Sequence, residues 1–211
     1  MTAPTVIAFE GPSGAGKSTL VRNVAAAHSM AEIVVLPDYT VIAGGPEQLP
    51  PAPAKTVEEE LAALQFLLNL DRVRWLRGIN EHPSVKLVLM DRSVHTFLAH
   101  RLAVEQLTGL PVFERCCEMV STNADIVWPE LILYVDTPQE LLSTRYRGDE
   151  PEYARIFCEP AYNRAFRSYF VPRVLYGETA VSILDGNSAT TELTTRALPH
   201  ISTVFPSLRF P

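Results

Sequence analysis

Apolar residues gather into five short runs along this chain, separated by longer stretches of mixed pattern. Thr5–Phe9, Glu32–Leu36, Val85–Met90, Leu131–Val135 and Val181–Leu184 are each dominated by aliphatic or aromatic side chains. Runs of this length and content predict buried strands. The stretches between them carry helix signals. Thr56-Val57-Glu58-Glu59 reads as a capping box, followed by Leu61, Leu64, Leu68 and Trp75 on one face. Thr137-Pro138-Gln139-Glu140 reads as a second box with proline at the first helical position. Gly148 and Gly177 are expected helix stops. Strands that alternate with helices predict an α/β fold, a parallel sheet flanked by helices. No internal repeat is present, and 211 residues suit a single domain, 1–211. Gly44–Pro53 is Pro-rich and follows the second strand, so the loop at about 41–55 is expected at the carboxyl end of the sheet, either closing over a ligand or serving as a solvated connector.

The first strand runs into Gly11-Pro12-Ser13-Gly14-Ala15-Gly16-Lys17-Ser18-Thr19. Gly11 through Ser18 satisfy the G-x-x-x-x-G-K-[ST] pattern, with a strand before it and a helical pattern after it. Glycines let the backbone N–H groups converge on phosphate oxygens, Lys17 reaches the β/γ-phosphates, and the Ser18 hydroxyl is a ligand for Mg²⁺. The helix that opens at this point adds its dipole to the anion site. Gly11, Ser13, Gly14, Ala15, Gly16, Lys17, Ser18 and Thr19 therefore form the expected site for ATP.

Three further signals lie downstream. Asp91-Arg92-Ser93 ends the third apolar run, where a carboxylate faces the phosphate loop and serves the metal or its waters, and the neighbouring arginine reaches a phosphate. Arg72 lies within ~20° of Leu61 on a helical wheel, near Leu64 and Leu68, with Gln65 on the same face. A charge on an apolar stripe needs an anionic partner, either Asp71 or a bound acceptor. Arg145 and Arg147 fall near the end of the helix that follows Pro138. On a lid spanning about 145–155 they are expected to close on the triphosphate, offset the charge that develops during transfer and exclude water; the alternative is that they only offset the dipole at a helix C-terminus.

Composition narrows the partners. A net charge of −6 argues against the basic stripe that nucleic acid requires, and only Lys17, Lys55 and Lys86 are lysines. Cys116, Cys117 and Cys158 have neither disulfide nor metal-ligand spacing and read as packing residues. No apolar stretch approaches the ~18 residues of a membrane span, and no leader precedes the first strand, so the expectation is a cytoplasmic protein without membrane or nucleic-acid partners.

Taken in order, Phe9-Glu10-Gly11 with the phosphate loop, Leu67–Arg72, Asp91–Ala99, Leu133–Pro138 and Tyr162-Asn163-Arg164 resemble the thymidylate kinases and related deoxynucleoside kinases. The resemblance spans most of the chain. It implies a P-loop NTPase three-layer sandwich with a five-stranded parallel sheet and a short lid, ATP and Mg²⁺ as donor, and a homodimer. It also implies that Arg92 contacts the acceptor phosphate, Arg72 the base or phosphate, Asp91 the metal region, and Arg145 and Arg147 the transferred group. The chain departs from thymidylate kinases in three places. Leu68 stands where they carry a stacking phenylalanine, with Phe66 two residues earlier. The segment Val35–Thr40 has Asp38 but no arginine. His100 and Arg101 replace a tyrosine and a glutamine.

Three classes of function follow. A nucleoside monophosphate kinase uses Arg72 and Arg92 to hold an anionic acceptor, with Asp38 orienting it, and is the leading expectation. A nucleoside or small-alcohol kinase needs a carboxylate base, for which Asp38 or Glu10 qualifies. A regulatory NTPase fits least, because no Asn-Lys-x-Asp motif is present.

Overall fold

Five strands, β1 (Thr5–Glu10), β2 (Ile33–Leu36), β3 (Leu87–Asp91), β4 (Leu131–Asp136) and β5 (Ala180–Asp185), pair in the order β2-β3-β1-β4-β5. Every pairing is parallel. A computed structural model describes residues 3–27, 32–146, 152–171 and 179–206. Each expected strand is present, with its ends moved by one or two residues.

Helices cover both faces of the sheet because the strand side chains alternate. Val6 and Ala8 of β1 join a core with Leu64, Leu67 and Leu68, Phe97 and Leu98, Cys116 and Cys117, and Phe166. These come from α3 (Val57–Glu81), α4 (Val94–Thr108), α5 (Phe113–Ser121) and α7 (Pro160–Phe170). Ile7 and Phe9 face the other way, onto Leu20 and Val24 of α1 (Lys17–Ala26) and Leu193 and Ala197 of α8 (Thr190–Val204). A strand buried on both faces must read as a continuous apolar run. Short helices α2 (Tyr39–Ala43) and α6 (Gln139–Arg145) follow β2 and β4. The fold is the expected three-layer α/β sandwich. Among the described residues no helix is long and apolar enough to cross a membrane.

Two local expectations differ from what forms. At α3 the capping box is present, Thr56 and Glu59 satisfying each other's backbone N–H groups. The buried stripe, however, runs through Glu60, Leu64, Leu67, Asp71, Arg74 and Gly78 rather than through Leu61 and Arg72. Leu61, half-buried at the edge, lies about 100° from the centre of that stripe, so a face phased on it rotates Arg72 into the wrong quadrant. At α6 there is no capping box: Pro138 is itself the N-cap, and no side chain caps the helix. The Thr137 hydroxyl packs against Gly186 after β5 and makes no hydrogen bond. Gly148 and Gly177 lie outside the described residues.

Candidate active site

The carboxyl ends of β1, β2, β3 and β4 open on one edge of the sheet, where ligands bind in parallel α/β folds. Between β1 and α1 the phosphate loop turns on glycines at positive φ, +140° at Gly11 and +93° at Gly16. A Cβ on Gly11 would come within 2.7 Å of the Val135 carbonyl oxygen, so only glycine passes under β4. Lys17 opens α1 and is buried; its ammonium donates to the Pro12 carbonyl at 2.8 Å. Burial, with Arg92 nearby, pushes it down to about 7 against the opposing pull of Asp91, Asp38 and Glu10. Ser18 and Thr19 are exposed in the first turn of α1. Asp91, at the end of β3, is buried with Oδ1 unpartnered. Glycine cradle, helix N-terminus and an orphaned carboxylate oxygen fit a nucleoside triphosphate with its Mg²⁺. Magnesium sites of this kind take few protein ligands and several phosphate oxygens.

Beside this loop lies a cavity of about 580 Å³. Pro12 and Ser13 line its donor end, and Asp38, Arg92, Thr96, His100, Arg101 and Glu60 supply its polar wall. Asp38 caps α2, accepting from the Thr40 N–H at 2.8 Å, and its Oδ2 accepts from Arg92 Nε at 2.8 Å. Burial acts to raise the Asp38 pKa, but Arg92 and the Thr40 N–H outweigh it and hold the carboxyl below the ordinary carboxylate range. Arg92 sits at φ +70°, in the left-handed region, where a side chain costs about 1–2 kcal/mol. Burial works against its charge, yet Asp38, Tyr39, Glu10 and Asp91 together raise its pKa further.

At the far end Arg101 and Glu60 are both almost fully buried, with Nε and Oε2 3.3 Å apart. The two form a buried ion pair, and Arg101 also donates to the Glu60 backbone carbonyl at 3.5 Å. The other Glu60 oxygen accepts from Ala54 N at 2.8 Å, which ties the Pro-rich loop to α3; Pro46, Leu49, Pro50 and Pro51 of that loop line the cavity as well. Residues of the Pro-rich loop thus form part of the cavity's lining. His100 Nδ1 meets the Tyr162 hydroxyl at 2.9 Å, and burial, then Arg101 and Arg92, lower its pKa well below the usual histidine range.

The structure brings Asp38, Arg92 and His100 together and keeps four other candidates apart from them. Gln65 is exposed and bonds Asn69, and Phe66 is largely exposed. Leu68 lies in the hydrophobic core, and Arg72 pairs on the outer surface with Asp125 at 3.1 Å. None of the four lines the cavity. Glu10 is fully buried beneath it, accepting from the Ser93 N–H and hydroxyl and from Thr96; burial raises its pKa despite these bonds. Arg145 ends α6 and donates to the Gly14 carbonyl at 2.8 Å, so this arginine rests on the phosphate loop. Arg147 lies outside the described residues. Residues missed by sequence reading, Glu60 and Arg74, share one signal: charged side chains in phase with the buried stripe of α3.

No protein-family model matches the chain, and no curated protein does either. Solved structures do. The deoxyadenosine kinase of M. mycoides, with dCMP and dCDP bound, superposes at a TM-score of 0.66 with 10% identity over 95% of this chain and 100% of that one. The same enzyme with dATP gives 0.65 and 13% over 94% and 100%. Thymidylate kinase from Candida albicans gives 0.65 and 17% over 96% and 93%. At these identities the likeness is one of fold: the chain has the P-loop kinase fold that the deoxynucleoside and thymidylate kinases share.

Proposed function

We propose that the protein is an ATP-dependent phosphotransferase whose acceptor is a hydroxyl of a nucleoside-like small molecule. The observation that carries this reading is Asp38 in the cavity beside the phosphate loop, held by Arg92 in its ionised form. An ionised carboxylate at that position accepts the hydroxyl proton as the acceptor oxygen bonds to the γ-phosphorus and the bond to the ADP oxygen breaks. Lys17 offsets the developing charge, and Arg145 stands close enough to the loop to assist. Ser18 and Asp91 would hold Mg²⁺, which would supply neutralisation of phosphate charge. At the far end the Arg101–Glu60 ion pair is part of the polar wall that would meet the end of the acceptor remote from the phosphate loop.

A monophosphate acceptor, the leading expectation from the sequence, has less support. It rested on two free arginines. Arg72 is on the surface, Arg92 is bound to Asp38, and Arg101 to Glu60. Asp38, Glu47 and Glu60 against Arg92 and Arg101 leave the described cavity wall with no excess cation for a dianion. A coupled ATP-consumption screen over nucleosides and their monophosphates tests the reading. Turnover with nucleosides is expected; turnover confined to monophosphates overturns it.

A further inference from the structure

Behind the cavity, out of reach of any ligand in it, Arg74 of α3 is 1% exposed. One nitrogen of its fork donates to the Pro37 carbonyl at 2.9 Å and the Asp91 carbonyl at 3.0 Å. The other donates to the Arg92 carbonyl at 2.9 Å and to the Asp71 carboxylate one turn earlier. Three of these acceptors are the backbone carbonyls at the very ends of β2 and β3. Pro37 immediately precedes Asp38, and Asp91 and Arg92 form the left-handed turn. In a parallel sheet the carbonyls that run off adjacent strand ends have lost their ladder partners, and buried ones must find others. A planar guanidinium reaches several of them at once, which a lysine ammonium, a single point on a flexible stem, does not.

From this we infer that Arg74 is a positioning residue for phosphoryl transfer: it fixes the ends of β2 and β3 relative to each other, so that Asp38 and Arg92 meet at the mouth of the acceptor cavity. Asp71 turns the fork, and α3, anchored by its capping box, carries it. The strained turn at Arg92 persists because its carbonyl is held from behind by Arg74 and its N–H from the side by the Phe9 carbonyl at 3.1 Å. Arg74 touches neither donor nor acceptor and acts only through the two side chains in front of it.

The inference rests on the hydroxyl-acceptor reading for its kinetic test but has a readout that does not. Arg74→Lys keeps the charge and loses the fork. It is expected to fold, to lower kcat roughly tenfold or more with the KM for ATP nearly unchanged, and to add little in an Asp38→Asn background, because misplacing a base and removing it are not additive. Full kcat in folded Arg74→Lys, or an equal loss with and without Asp38, overturns it. Should Arg74→Lys not fold, Asp71→Asn is the second variant. It leaves the fork to wander and is expected to cut kcat about threefold, again non-additively with Asp38→Asn; an additive effect, or none, contradicts the inference. Independent of turnover, hydrogen exchange at the Arg92 Nε–H, protected by Asp38 in the native protein, is expected to quicken at least tenfold in either variant. A wild type that phosphorylates no hydroxyl acceptor defeats the proposed function, whereas unchanged exchange at Arg92 defeats the clamp.

Discussion

The two ends of the site meet at Pro12 and Ser13 and are built from different materials. At the donor end one continuous segment, Gly11 to Thr19, offers backbone N–H groups, a helix terminus and one buried ammonium. At the acceptor end six side chains from separate parts of the chain arrive already joined in pairs, Asp38 with Arg92, Glu60 with Arg101 and His100 with Tyr162. The donor end presents unpaired positive potential and suits a polyanion. The acceptor end presents neutralised pairs and suits a neutral molecule that trades hydrogen bonds with them. A phosphate binds where charge is left over, and a hydroxyl reacts where a carboxylate is held ionised and aimed.

The sharpest break of the donor end is Lys17→Ala. It should lower kcat by 10² or more while circular dichroism stays native, since a fixed cation is removed from the charge that develops in transfer. A mutant with near-normal turnover would remove the phosphate loop from the mechanism.

At the acceptor end Asp38→Asn should cost about 10² in kcat and abolish the acidic limb of the pH–rate profile. Because Arg92 holds Asp38 below the ordinary carboxylate range, the acidic limb of wild type is expected at lower pH than an unpaired aspartate would give. Arg92→Gln removes that support and should move the limb to higher pH. A limb that stays in place in Arg92→Gln speaks against the pair as the source of the ionised base.

A smaller effect is expected from Glu60→Gln, about tenfold in acceptor KM with the KM for ATP untouched, since one buried acceptor becomes a half-matched amide. Equal changes in both KM values would make the pair a structural tie between α3 and the Pro-rich loop rather than a reader of the acceptor.

The smallest effect concerns stability. His95 bonds Tyr169 and Thr179, and burial pushes it down to about 3. Between about 6.5 and 3 the unfolded chain binds this proton and the folded one does not, so stability is lost as pH falls, by up to about 1.4 kcal/mol per unit. Thermal melts at pH 7 and 5 should differ by about 4 °C or more, and the difference should shrink in His95→Gln. A flat profile in wild type would mean that His95 accepts its proton without unfolding.

The same contrast between the two ends decides how much of the molecule was legible in the sequence. The loop motif was readable because its chemistry lies in consecutive residues, and the strands because burial on both faces leaves an uninterrupted apolar run. Asp38 and the Asp91–Arg92 pair were readable because they end such runs. The rest of the acceptor wall was not, since it depends on the rotation of α3, and a phase set by Leu61 in place of Ala63 and Leu67 exchanges Arg72 for Arg74 and hides Glu60. Arg101 was noticed but had no assigned face, because α4 is buried nearly all round from Val94 to Arg101 and carries no amphipathic phase to read.

The central claim, a hydroxyl acceptor aimed at Asp38, is tested most directly by ³¹P NMR of the products when ATP and Mg²⁺ are supplied with equal concentrations of a nucleoside and its monophosphate. The account predicts that the phosphomonoester resonance grows in step with ADP, and that this growth is suppressed in Asp38→Asn. Appearance of the nucleoside diphosphate as the first product, with the nucleoside left unphosphorylated, would contradict it.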